Sequence, residues 1–378
     1  MIQNTMSEST DITKQKLLSL IVPTYNMAAL LPRCLESLVS APSAADYLEV
    51  IVVNDGSTDE SLGIAQAWQS RFPDVIRVID KKNGNYGSTI NAALPKVQGI
   101  FVKIVDSDDW MDTKVLESFL QEVLHHVAQG DCPDIVHTPF VSIGPNDVRE
   151  VIRYNTMGKE PYTYGQIYSL DEVLKDGYIR FFLIHSLTYR TDLLRSNGYR
   201  QTEGISYTDT EWSCYPTFWA KSILFLNMKL YQYNADREGQ TMNPKVVMRS
   251  INQLTTLTDR MLAYYQQNIR NEALSETRRA WLKQYFENRM RILYKLYLLD
   301  MPRKDFKVEE MLAFDQKYWP ICQAEQFHFV LWPENKVLRI DYIKYWHKHH
   351  KRWPAWFEFV NHQVDRLARF IYVRVFRK

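Results

Sequence analysis

The chain has 378 residues, more than one average domain, and its 46% hydrophobic and 24% charged residues exclude a disordered or fibrous protein. A formal net charge of +2 gives no reason of its own to expect nucleic acid, although it conceals a basic C-terminus. Cys34, Cys132, Cys214 and Cys322 lie far apart with no paired spacing, which argues against a zinc knuckle or a disulfide framework and fits a reducing compartment.

The segment up to Lys16 is polar, and residues 1–16 are expected to form a flexible tail. The apolar run Leu17 to Val22 stops at Pro23, too short for a signal peptide or a membrane span, so the chain is expected to stay in the cytoplasm. That run has the continuous apolar character of a strand buried on both faces, and it ends at Pro23-Thr24-Tyr25-Asn26. Leu30, Leu31, Cys34, Leu35 and Leu38 recur at helical spacing, and Leu48 to Val53 follows as a second strand ending at Asn54-Asp55-Gly56-Ser57. A helix from Ser57 to Trp68, capped by Ser57 or Thr58, leads to a third strand at Val75 to Ile79. A fourth, Gly99 to Val105, stops at Asp106-Ser107-Asp108-Asp109. Alternating strands and helices predict an open, mainly parallel α/β sheet that binds ligands at the carboxyl ends of its strands, where Asp55, Asp106 and Asp108 would cluster. From about residue 245 the pattern changes to long helices rich in aromatic and basic residues, such as Ile251 to Gln267 and Thr277 to Leu299. The expected division is an α/β domain over 17–244 and a helical region over 245–378.

Alternate residues of an extended segment point the same way, so Asp106 and Asp108 can share one nucleotide and metal while Asp109 faces the supporting shell. Carboxylate oxygens of this kind hold the divalent cation that neutralises a leaving pyrophosphate. A solvated acidic turn is the alternative. The stretch from Leu18 to Asp112 resembles the family 2 glycosyltransferases of the GT-A fold, a Rossmann-like sheet. The residues that carry the resemblance are Ile21-Val-Pro-Thr-Tyr-Asn26, Val53-Asn-Asp-Gly-Ser-Thr-Asp59, Asn83-Gly-Asn-Tyr-Gly-Ser-Thr-Ile-Asn91 and Lys103-Ile-Val-Asp-Ser-Asp-Asp-Trp110.

That resemblance implies that Pro23, Tyr25 and Asp55 hold the nucleotide base and ribose. It gives Asp106 and Asp108 the ribose, the pyrophosphate and a Mn2+ or Mg2+ ion, and it counts Lys103 with the same donor site. Asn83 and Gly84 open the donor-facing loop, where glycine permits close backbone approach. An inverting transfer needs a base for the acceptor hydroxyl. Glu203-Gly-Ile-Ser-Tyr-Thr-Asp-Thr-Glu211-Trp212 resembles the family segment that supplies it, and Asp209 matches the basic aspartate. Thr208 stands where the family carries glutamate, so Glu211 stays a rival for the base, and helix capping is the alternative for Asp209. Arg237-Glu-Gly-Gln240-Thr241 resembles a loop that closes over the donor diphosphate. His185 is expected near the acceptor side as a structural histidine. No histidine lies between Glu211 and Phe327, so Asp108 and the donor phosphates are expected to hold most of the metal.

Residues 336–378 carry eleven Lys or Arg against three acids. Val360, Val364, Leu367, Ile371 and Val375 follow helical spacing, as in an amphipathic helix lying on an anionic membrane surface or packed on the protein itself. The expected function is an inverting transfer from a nucleotide diphosphate sugar, uridine-based by preference. The expected acceptor is a glycan or lipid-linked molecule in cell-surface polysaccharide, teichoic acid or glycolipid synthesis, at the inner face of the membrane. A silent sugar-nucleotide-binding scaffold is the first alternative. A nucleotidyltransferase is the second, weakened by the lack of a glycine-rich basic loop after the first strand.

Overall fold

A computed structural model describes residues 15–153, 162–236, 250–331, 341–357, 359, 360 and 363. Strands β1 (Leu18–Thr24) and β2 (Leu48–Asp55) are buried along their whole length, which is why they read as nearly continuous apolar runs, broken only by Ser19 and Glu49 before their polar ends, rather than as alternating ones. With β3 (Ile76–Lys81) and β4 (Phe101–Ile104) they form the parallel half of an eight-stranded sheet, in the order β3-β2-β1-β4. The chain leaves β1 to one side through helix α1 (Leu31–Val39), β2, helix α2 (Ser61–Arg71) and β3. It returns through helix α3 (Asn85–Ala93) to lay β4 on the other flank of β1. The strand order reverses there, and a crevice opens beyond the carboxyl ends of β1, β2 and β4.

The expected α/β sheet is present, but only this half is uniformly parallel. Strand β10 (Leu187–Arg190) joins β4 antiparallel, followed by β6 (Ile135–His137), β11 (Ser222–Phe225) and β9 (Ile167–Ser169). A second sheet takes the order β5 (Trp110–Met111), β12 (Tyr231–Asn234), β7 (Phe140–Gly144) and β8 (Val148–Ile152), and its β5 follows closely on β4 in the chain. Strands of two to five residues carry too few alternations to announce themselves in a sequence. Helix α4 (Thr113–Ala128) starts at Asp112, whose carboxylate accepts from the N–H groups of Lys114 and Val115. It buries Leu116, Phe119, Leu120 and Val123 in the core, about 1.5–3 kcal/mol for each such side chain.

The start of α2 corrects the sequence reading, because the helix begins at Ser61 and neither Ser57 nor Thr58 caps it. Ser57 Oγ instead accepts from the Asn26 N–H at 3.0 Å, and Thr58 donates its N–H to Asn26 Oδ1 at 2.8 Å. These bonds tie the loop after β1 to the loop after β2, at the rim of the crevice.

The described residues fall into two compact units. The first takes those up to Asp236 together with Asn252–Arg278, and the second takes Ser250, Ile251 and those from Arg279 onward. Helix α5 (Asp209–Cys214) and helix α6 (Ile251–Asn268) pack within the first unit, where Tyr264 stacks on Tyr215 at 4.2 Å and Gln253 accepts from the Ser206 N–H. The second unit is helical, with most of helix α7 (Glu276–Lys295), helix α8 (Val308–Ala324) and helix α9 (Tyr342–His349). Phe286, Met290, Tyr294, Tyr318 and Trp346 are buried in it. Residues 364–378, which carry most of the amphipathic stripe expected from the sequence, lie outside the described residues. Among those described, no helix is long and apolar enough to cross a membrane.

Candidate active site

The acidic segment after β4 is a turn rather than an extended run. The Asp109 N–H donates to the Asp106 carbonyl at 3.0 Å, and this closure brings Asp106 and Asp109 side by side while Asp108 stands half-buried at the tip. Tyr231 on β12 secures the turn from behind. Its hydroxyl accepts from the Asp106 N–H at 3.1 Å and donates to Asp109 Oδ2 at 2.6 Å, while the Asn234 N–H donates to Asp109 Oδ1 at 2.7 Å. Burial, and then the charges of Asp106 and Asp108, push the Asp109 carboxyl well above the usual carboxylate range. His185 completes the group, with Nε2 3.7 Å from Asp106 Oδ2 and 4.0 Å from Asp109 Oδ2. Its ring lies among Phe140, Tyr231 and Tyr233 at 5.0, 4.7 and 4.7 Å between centroids. The imidazole placed on the acceptor side by the sequence thus stands against the acids.

Asp55, at the end of β2, is 3% exposed and its carboxylate is already engaged. Oδ1 accepts from Lys81 Nζ at 2.7 Å and from the Gly84 N–H at 3.0 Å, and Asn83 Nδ2 reaches the Asp55 carbonyl at 2.9 Å. Asn83 and Gly84 therefore hold Asp55 in place. Pro23 is buried within β1, and Tyr25 just past it is 47% exposed at the crevice rim. Lys103, expected to touch the donor, is wholly buried beneath the crevice and donates to the carbonyls of His185 and Leu187 at 2.6 and 3.1 Å. Burial draws its pKa down to about 7. The correction follows from strand alternation, which puts Lys103 on a covered face of the sheet, where its ammonium reaches carbonyls at the start of β10.

Asp209 opens α5 and is exposed to solvent. Glu211, its rival, is not available. It is 1% exposed and accepts from the Thr202 N–H at 2.6 Å, Thr202 Oγ1 at 2.8 Å and the Tyr215 hydroxyl at 3.1 Å. A carboxylate so enclosed cannot reach an acceptor, so Glu211 fixes the segment and leaves Asp209 as the candidate base. The same segment is sewn to α3: Gly204 donates to the Gly84 carbonyl, and Asn91 exchanges hydrogen bonds with Gln201. Gly87 faces it so closely that a Cβ would lie 2.1 Å from the Thr202 carbonyl.

Tyr86, also on α3, donates to Asp106 Oδ1 at 2.8 Å. Its phenol is pushed well above the ordinary range by burial first and then by Asp106, with Asp209 and Asp108 adding to the effect. One phenol therefore feels the acids after β4 and the acid of α5. Sequence reasoning missed Tyr86, Tyr231 and Lys81. Tyr86 sat inside a quoted motif but had no partner visible there, and Tyr231 lies 125 positions from the acid it supports. Gln240 lies outside the described residues, as do Arg237 and Thr241.

Residues 19–185 match the model of the family described as glycosyl transferase family 2. The chain is 29% identical over 233 residues to the poly(ribitol-phosphate) beta-N-acetylglucosaminyltransferase TarS of Staphylococcus aureus, a span of 61% of this chain and 37% of that protein. It is 28% identical over 223 residues to the putative glycosyltransferase EpsH of Bacillus subtilis, covering 57% of this chain and 60% of that one. The chain thus spans less than two thirds of the length of these curated relatives. Among solved structures, residues 1–349 of S. aureus TarS superimpose with a TM-score of 0.59 at 20% identity, over 95% of this chain and 91% of that one. The same fragment crystallised with UDP gives 0.56 at 19%, over the same shares of the two chains. These likenesses establish the fold that the sequence motifs implied.

Proposed function

We propose that this chain, a member of the family 2 glycosyltransferases, moves a sugar from a nucleoside diphosphate donor to a hydroxyl of a glycan or lipid-linked acceptor with inversion. The observation that carries the reading is the convergence of acids from separate stretches on α3 and its N-cap: Asp55 through Gly84 and Asp106 through Tyr86, with the charge of Asp209 reaching the same tyrosine. Tyr25 and Asp55 are assigned to the base and ribose, and Asp106 and Asp108 to the ribose and diphosphate. The resolution of one relative with UDP supports a uridine donor, and the polymer named for that relative supports a cell-surface polymer as acceptor.

A divalent cation fits the donor set present, because Asp106, Asp109 and His185 each offer a ligand atom and these lie within 4.8 Å of one another. Asp106 would hold Mn2+ or Mg2+ with Asp109 and His185 beside it and Asp108 offering a further carboxylate from the tip of the turn, and such an ion, when bound, would neutralise the charge that develops on the leaving group. Asp209 takes the proton of the acceptor hydroxyl as that oxygen attacks the anomeric carbon and the bond to the diphosphate breaks. Its solvent exposure leaves it accessible to an acceptor. Tyr86 holds Asp106 oriented towards the donor, and Lys103 braces the turn at His185 from below.

The second reading, a silent sugar-nucleotide scaffold, is favoured by Thr208, which replaces a family glutamate and is wholly buried. Release of UDP from a UDP-sugar, with acceptor membranes and Mn2+ supplied, separates the two. Asp209→Asn is expected to lower turnover by about 10²–10⁴-fold while calorimetry still detects UDP binding. Binding without turnover in the unaltered chain would favour the scaffold. A peripheral position on an anionic inner membrane surface completes the proposal. It is supported by exposed Lys344, Lys348 and Lys351 near Trp356 and Phe359, which are 66% and 64% exposed.

A further inference from the structure

The donor half of the crevice ends at the acidic turn, but the carboxyl edge of the sheet continues past it. Strand β10 runs antiparallel to both β4 and β6, so β6 points the same way as β4 and ends at the same edge. Its last residue, His137, lies opposite Leu187, the first of β10. Two strand spacings place this point about 10 Å from the end of β4. A cavity of about 70 Å³ opens there, room for a few waters or one small charged group and too little for a second nucleotide.

Its lining sets what it can take. Arg153, just past β8, and Arg180, in the segment that leads to β10, both contribute, and among the described residues no carboxylate lines it. Arg180 is exposed and has no hydrogen bond or ion pair with a described residue. Tyr178, Phe181 and Leu183 supply apolar wall, which keeps water away and strengthens the attraction for a charge. His137 lines it too. Burial, and then the charge of Lys103, draw the His137 pKa down to about 3, so at neutral pH the positive charge of the cavity is that of the two guanidinium groups. Guanidinium forks match phosphate and carboxylate oxygens through paired N–H donors.

The position ties the cavity to the acceptor. Ile152 on its wall lies opposite Phe140 across β8 and β7, and Phe140 packs on the His185 ring at 5.0 Å, beside Asp106 and Asp109. Tyr189 of β10 donates to the Trp212 carbonyl at 2.9 Å, so the strand next to the cavity also holds the helix that Asp209 opens. We propose that this cavity is an acceptor subsite for an anionic group, a phosphodiester or a carboxylate on the unit next to the one whose hydroxyl reacts, and that Arg153 and Arg180 thereby select acidic acceptor chains over neutral ones. This rests on reading the crevice as a glycosyl-transfer site.

The test is calorimetric titration of the full chain, with and without UDP, using a glycerol phosphate oligomer, an oligosaccharide carrying uronic acid and a neutral oligosaccharide of similar length. At least one acidic oligomer is expected to bind about tenfold or more tighter than the neutral one, and which of the two does so tells phosphodiester from carboxylate. Arg153→Gln and Arg180→Gln are each expected to weaken that oligomer about tenfold while UDP affinity holds. Arg71→Gln, which removes the same charge at the end of α2, is expected to change neither. Acidic and neutral oligomers binding alike, no binding of either acidic oligomer, unchanged affinity in both cavity variants, or an equal loss in Arg71→Gln would each overturn the subsite. A chain that binds an acidic oligomer through Arg180 but fails to bind UDP would keep the anion site and contradict the donor-site reading instead.

Discussion

Tyr86 links the donor acids to the candidate base, since its hydroxyl bonds Asp106 and its phenol feels the charge of Asp209. Hydrogen bonds to charged groups contribute about 1.5–3 kcal/mol. Tyr86→Phe is therefore expected to lower kcat/KM for donor cleavage by about tenfold or more while the thermal unfolding midpoint moves little. An unchanged kcat/KM in steady-state UDP release would remove Tyr86 from the site. Lys103 makes a different prediction. Its pKa is about 7 in the folded chain against 10.5 for an ordinary lysine, so across that interval the unfolded chain holds a proton that the folded chain lacks. Stability contributed through this group consequently rises with pH over that window and falls as pH drops towards 7. Urea unfolding at pH about 7.5 and about 9.5 is expected to show a larger gain for the unaltered chain than for Lys103→Met. Equal gains would mean that Lys103 titrates normally.

At the scale of elements, α3 is the part on which the site depends most, and Gly87 is its closest approach to the segment that carries Asp209. An added Cβ at 2.1 Å from a backbone carbonyl cannot be absorbed by a side-chain rotation. Gly87→Ala is expected to destabilise the chain by about 1–3 kcal/mol and to lower turnover, because α3 must shift from Thr202; thermal unfolding and UDP release read the two effects. Retained stability and activity would show that this junction is loose. The buried runs of β1 and β2 made the parallel half legible in the sequence, because strands covered on both faces are mostly apolar, interrupted here only by Ser19 and Glu49 before their polar ends. The acids at their ends were legible for the same reason. The geometry of Asp106 to Asp109 was not, since alternation holds only for extended backbone and here a turn pairs Asp106 with Asp109. Tyr231 and β12 were invisible because a four-residue strand completes this site from 125 positions away. The inward turn of Glu211 depended on Thr202 and Tyr215, whose proximity only packing creates.

Over the whole molecule, the first unit contains every described residue of the proposed donor site and the candidate base, and α6 belongs to it by packing. The second unit adds a helical body with its own buried aromatic core and an exposed basic and aromatic surface. The central claim concerns the first unit, and it is that the crevice cleaves a nucleoside diphosphate sugar. Release of nucleoside diphosphate from a panel of uridine and guanosine diphosphate sugars, with Mn2+ and with chelator, for the unaltered chain and Asp108→Ala, tests this most directly. The expected result is turnover of a uridine diphosphate sugar that disappears with chelator and in the variant. Absence of turnover with every donor, even with membrane acceptors supplied, or turnover indifferent to both chelator and Asp108, would contradict it.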